Sequence, residues 1–66
     1  RPYKVDQHIG ATGGSGTIAD IVKIEGKKMI ILRLDRPYIV DEDGMNLRIS
    51  LTIVHPENVW SDAVET

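Results

Sequence analysis

Between Asn46 and Val54 the chain alternates without a miss: Leu47, Ile49, Leu51 and Ile53 occupy one parity, and Asn46, Arg48, Ser50 and Thr52 the other. Successive side chains of a strand point to opposite faces, so this pattern predicts a β-strand with one buried, apolar face. Just upstream, Asp43-Gly44 is the dipeptide that best tolerates the positive φ angles of a two-residue type I′ turn, which predicts a hairpin. With that pair at the tip, Val40 is expected opposite Leu47, Tyr38 opposite Ile49, Leu34 opposite Ile53 and Leu32 opposite His55. All of these fall on one face, and a slip of one residue would turn the four apolar residues to water. Arg36 and Pro37 interrupt the earlier arm. Proline donates no ladder hydrogen bond, so a bulge or break is expected at Asp35 to Pro37, with the strand resuming at Tyr38.

Sixty-six residues make one domain, and a chain this small buries only roughly 60% of the surface its unfolded form exposes. The chain has no cysteine, so neither a disulfide nor a thiolate metal site can compensate, and oligomerisation is the remaining staple. No apolar run approaches the ~20 residues of a membrane span, and no signal-peptide pattern opens the chain, so a cytoplasmic setting is expected. Eight basic and ten acidic residues give a formal charge of −2, with the two signs interspersed. That balance argues against nonspecific nucleic-acid binding, which needs a dense basic face.

Near the start, Tyr3, Val5, Gln7 and Ile9 alternate with Lys4, Asp6 and His8, which predicts a first strand. Gly10 to Gly16 holds four glycines in seven residues and reads as a loop. Glycines let backbone N–H groups approach a phosphate, but a P-loop needs Gly-Lys-Ser/Thr feeding a helix, whereas Thr17 to Val22 feeds a strand rich in β-branched residues. The second strand is expected over Thr17 to Glu25 and the third over Met29 to Leu34, joined by Gly26-Lys27-Lys28. A two-residue turn at Gly26-Lys27 would set Ile21 and Lys23 with Ile30 and Leu32, burying a lysine. A three-residue loop instead pairs Ile24 with Ile30, Val22 with Leu32 and Asp20 with Leu34, and is preferred because it collects the larger apolar set. The opposite face then carries Ile21, Met29 and Ile31 among Lys23, Glu25 and Arg33. Three sizeable apolar residues there mark a contact surface, unless the strand bends so that both faces reach the core.

After the central strand, His55-Pro56-Glu57-Asn58 suits a single 3₁₀ turn, because proline fixes φ and Asn58 tolerates a left-handed exit. Val59 and Trp60 then begin a short last strand, and residues 62–66 form a polar tail expected to fray. The expectation is therefore all-β: five strands in one domain over residues 1–61, with one short 3₁₀ turn before the last strand.

This order of parts resembles an SH3-like small barrel: a strand, a glycine-bearing loop, three strands joined by hairpins, a proline-containing turn and a short final strand. Pro56-Glu57-Asn58-Val59 looks like the turn that leads into the last strand of that fold. Gly16-Thr17-Ile18 followed by Ile21 is faintly similar to the glycine-plus-aliphatic segment of KOW modules. SH3-like barrels host unrelated functions, so the resemblance implies a fold more than an activity.

Three functional classes follow. The first is a non-enzymatic protein-binding or assembly module, including homo-oligomers such as dimers or tetramers, with Ile21, Met29, Ile31, Arg33 and Trp60 as its contact residues. Recognition of proline-rich peptides is disfavoured, because such grooves are lined by several aromatics and this chain has only Tyr3, Tyr38 and Trp60. The second is a KOW-like nucleic-acid binder using Lys23, Lys27, Lys28, Arg33 and Arg48, against which stand the scarcity of stacking aromatics and the negative charge. The third is a subunit of an oligomeric enzyme with a shared pore. The type II dihydrofolate reductases resemble this chain in size and strand order, but their Val-Gln-Ile-Tyr is replaced here by Leu51-Thr52-Ile53-Val54, without the glutamine and tyrosine.

No catalytic, cofactor or metal residues are expected. His8 and His55 are far apart and lack a third ligand unless the fold brings up Asp6 or Glu57, and His55 is expected as a hydrogen-bonded rim residue. Asp41 to Gly44 is too short for a calcium loop and lacks its distal glutamate. Trp60 reads as a core or interface anchor.

Overall fold

The computed structural model describes residues 3–61. The polar tail expected over 62–66 lies outside the described residues. Strand β1 spans His8–Ala11, β2 Gly14–Ile24, β3 Lys27–Glu42, β4 Met45–Val54 and β5 Val59–Ser61, with a 3₁₀ turn at Pro56–Asn58 before β5. The five strands form one antiparallel sheet in the order β4-β3-β2-β1-β5, with β4 and β5 at its two edges. The all-β class and the proline-led 3₁₀ turn are as the sequence predicts, and the sheet is open rather than closed on itself.

Three two-residue turns set the registers. Asp43 and Gly44 take φ of 52° and 78°, as a type I′ turn requires, and Val40 pairs with Leu47 and Tyr38 with Ile49 as expected. The second turn is Glu25-Gly26, with φ of 51° and 79°, so Ile24 pairs with Lys27 and Ile21 with Ile30. This replaces both registers considered for β2 and β3. Glycine occupies the second turn position, where its missing Cβ removes the penalty of positive φ. The third turn, Thr12-Gly13, lies inside the stretch read as a loop. Gly10 instead pairs with Ser15 and Ala11 with Gly14, so the glycine-rich segment is itself a hairpin.

A bulge in β2 between Ile18 and Asp20 decides its buried face. Ile18 and Ile21 are three residues apart, so a regular strand would send them to opposite sides. One extra residue corrects the parity: Ile18 pairs with Leu32 and Ile21 with Ile30, both toward the interior. Tyr3 to Gln7 does not form the predicted strand. Asp6, at φ 77°, sits in a turn in which the Gln7 N–H donates to the Lys4 carbonyl at 3.1 Å and the Gln7 side chain accepts from the Lys4 N–H. The segment is strapped to β2 by Asp6 N–H to the Ile18 carbonyl at 2.8 Å and Ile18 N–H to the Gln7 carbonyl at 2.9 Å.

The core consists of Ile9, Ala11, Ile18, Ile30, Leu32, Leu34 and Val54, with Tyr3, Ile21 and Val59 packed against it. Only Val54 comes from β4. The break expected at Asp35 to Pro37 is present, but it shifts the register by three residues: Leu34 to Pro37 on β3 span the place that Ser50 alone spans on β4. Ile53 therefore pairs with Ile31 and Leu51 with Arg33, not with the inward row. The expected pairs Leu34–Ile53 and Leu32–His55 do not form; Leu32 pairs with Thr52 and Ile30 with Val54. An odd surplus reverses parity, and that reversal turns Leu51 and Ile53 away from the core.

Candidate functional site

Of the nine large apolar side chains that are exposed among the described residues, six lie on β3 and β4: Tyr38, Ile39, Met45, Leu47, Leu51 and Ile53. On β4, Met45 is 61% exposed, Leu47 41%, Leu51 53% and Ile53 53%, with Ile49 half-buried. Their cross-strand partners on β3 add to these: Tyr38 opposite Ile49 is 46% exposed, while Val40 opposite Leu47 and Ile31 opposite Ile53 are half-buried. Met29 and, on β2, Val22 and Ile24 continue the face of Ile31. Four charges stand among these residues: Arg33 opposite Leu51, Asp20 opposite Ile31, Lys27 opposite Ile24 and Glu42 opposite Met45.

The far half of the β3–β4 hairpin is an arm. β2 accompanies β3 only as far as Leu34, so residues 38–42 and 45–49 pair solely with each other. A two-stranded ribbon is marginal in water without further packing. This one carries Tyr38, Val40, Met45, Leu47 and Ile49 on one side and an Ile39 that is 60% exposed on the other. Both halves of the hairpin therefore have apolar surface that folding of a single chain leaves in water.

The expected contact residues do not form one cluster. Met29, Ile31 and Arg33 share the face just described. Ile21 is corrected to the inner side, where it pairs with Ile30 and packs on the core. Trp60 is 67% exposed on β5, at the opposite end of the strand order from β4. Leu51 and Ile53 join the face without having been expected there. Their alternation is plain in the sequence, but alternation identifies a face without saying which side of the sheet the core lies on.

The basic residues are similarly divided. Lys23 stands opposite Lys28 and Lys27 opposite Ile24 at the Glu25-Gly26 hairpin, Arg33 lies on the apolar face, and Arg48 is paired with Ile39 on the reverse side of the arm. They do not line up as one strip.

His8 Nε2 lies 2.6 Å from Asp35 Oδ2, joining β1 to the break in β3. Both side chains are more than a third exposed, so the pair contributes little to stability. His55 is exposed rather than at a hydrogen-bonded rim; its carbonyl accepts from the Asn58 N–H at 2.9 Å and closes the 3₁₀ turn. Among the described residues, no three His, Cys, Asp or Glu side chains come together as a metal would require. An open cleft of about 450 Å³ lies between the first hairpin turn and the β3 break, lined by Gly13, Gly14, Ser15, Leu34, Asp35, Arg36 and Tyr38.

Comparison of the chain with known protein families, with characterised proteins and with solved structures finds no match. No helix among the described residues is long and apolar enough to cross a membrane.

Proposed function

We propose that this chain is a small non-enzymatic binding and assembly module that acts through protein contacts made by the outer face of β3 and β4, including contacts between copies of itself. One observation carries the reading: Tyr38, Met45, Leu47, Leu51 and Ile53 all lie on the β3–β4 hairpin and are each 41–61% exposed. Contiguous apolar patches larger than a few hundred Å² are rare on monomeric proteins and mark interaction surfaces. Burying a leucine or isoleucine side chain stabilises by roughly 1.5–3 kcal/mol, so a partner that covers this row gains a substantial driving force. The hairpin order and the 3₁₀ turn leading into a short last strand support an open variant of the SH3-like arrangement. A cytoplasmic setting accords with the absence of cysteine.

The test is solution mass by light scattering over a dilution series, with a pull-down of protein partners from nuclease-treated lysate. Leu51→Asp is expected to keep the circular dichroism spectrum and to lose both self-association and captured protein. A folded Leu51→Asp chain that associates and captures like the wild type would overturn the reading.

A further inference from the structure

The two hairpins that share β3 carry opposite charge at their tips. Around Glu25-Gly26, Lys23 stands directly opposite Lys28 and Lys27 follows the turn, three lysines against the single carboxylate of Glu25. Around Asp43-Gly44, Asp41, Glu42 and Asp43 stand together, and the nearest base on that hairpin is Arg48, paired with Ile39. β3 runs from Lys27 to Glu42, so the two clusters lie at its two ends. Like charges directly opposite each other are destabilising in a sheet. Among the described residues, neither cluster forms an ion pair within its own chain. Each tip also presents an apolar side chain paired with one of its charges: Ile24, opposite Lys27, is 45% exposed, and Met45, opposite Glu42, is 61% exposed.

We propose that the outer face of β3 and β4 stacks on the same face of a second copy about a two-fold axis lying across β3, so that the acidic tip of each copy meets the basic tip of the other. The proposal rests on the assembly reading above and adds the partner and its orientation. A two-fold axis in the plane between two identical faces can run along β3 or across it. Along it, each tip meets its own copy, and lysines face lysines. Across it, β3 is reversed in the partner, both tips meet opposite charge at once, and Ile24 comes to the end that holds Met45. A second copy fits because it brings both complementary tips at the spacing that one β3 sets. Charges at the rim of a contact fix its orientation more than they add affinity. The burial comes from the apolar residues between the tips, Ile31, Leu51 and Ile53.

Light scattering at low and high salt tests the arrangement, on chains whose folding is checked by circular dichroism. Salt screens exposed charges, so high salt is expected to weaken the wild-type dimer about tenfold, whereas stacking with like tips together would be strengthened. Lys27→Glu with Lys28→Glu leaves both tips acidic and is expected to weaken association by a similar factor at low salt. Asp41→Lys with Glu42→Lys leaves both tips basic and is expected to do the same. All four changes in one chain make the tips opposite again and are expected to return association to the wild-type level. If a reversed chain does not fold, the salt dependence of the wild type decides. A wild-type dimer that salt leaves unchanged or strengthens, folded single-tip reversals that associate like the wild type, or a folded chain with all four changes that stays dissociated would overturn the orientation. If any of these is found while Leu51→Asp alone is monomeric, the orientation fails and the face reading stands. A wild type that is monomeric at every concentration overturns both.

Discussion

Gly16 shows how one residue fixes the spacing between two strands. It is buried, paired with Ile9 on β1 and Leu34 on β3, and a Cβ there would collide with the Arg33 carbonyl and crowd Leu32. Backbone cannot move aside as the end of a flexible side chain can, so Gly16→Ala is expected to cost about 1–3 kcal/mol, as overpacking does. Urea denaturation at a dilution where the chain is single would measure it. Gly44 contrasts with it: φ is 78°, and a Cβ there would have no neighbour within 4 Å. Gly44→Val therefore meets no clash but a torsional penalty of about 1–2 kcal/mol, the cost of a left-handed conformation. A lowered melting temperature is the expected result, and an unchanged one would remove the turn placement. The two sides of the sheet differ at this scale as well. Leu32→Ala, in a fully buried position, is expected to cost about 2–5 kcal/mol, whereas Leu51→Ala in the dissociated chain should fall within about 0.5 kcal/mol of wild type.

At the scale of elements, the Asp43-Gly44 hairpin, the strand-rich β2 and β3, the break at Asp35 to Pro37 and the 3₁₀ turn are all legible in the sequence, because each has a local chemical cause in turn glycine, β-branching or proline. What depends on counting is not legible. The glycine-rich stretch reads as a loop, yet Gly13 alone supplies the turn, while Gly10, Gly14 and Gly16 lie in paired strands. The bulge after Ile18 has no turn signal of its own; it follows from the need to bury both Ile18 and Ile21. The site suffers most, because the contact face of β4 is set by the number of residues looped out of β3, and no local propensity encodes an odd rather than an even number. Met29, Ile31 and Arg33 do share an outer face, though by way of a register that the sequence pattern does not favour.

The described residues measure 41 × 34 × 17 Å, the proportions of a slab. Domains normally bury their apolar faces between two packed layers. Here the inner side has a core, and the outer side of β3 and β4 has no second layer among the described residues. Folding and association are then linked by mass action, because a partner that binds only the folded chain raises its apparent stability. The wild-type melting temperature is expected to rise with protein concentration, by several degrees over a hundredfold range, while that of Leu51→Asp stays constant. A concentration-independent wild-type transition in calorimetry would show that the chain is stable without a second copy.

The break between Arg33 and Tyr38 also has a meaning for how such a chain changes over generations. Three surplus residues set Ile53 beside Ile31; two would set it beside Leu32, inside. A single-codon deletion that preserved the geometry of the break would slide β4 by one step and exchange its inside for its outside, with every remaining side chain unaltered. The exposure of Leu51 and Ile53 is thus set by arithmetic in a kink and not by any residue on the surface where the difference is felt.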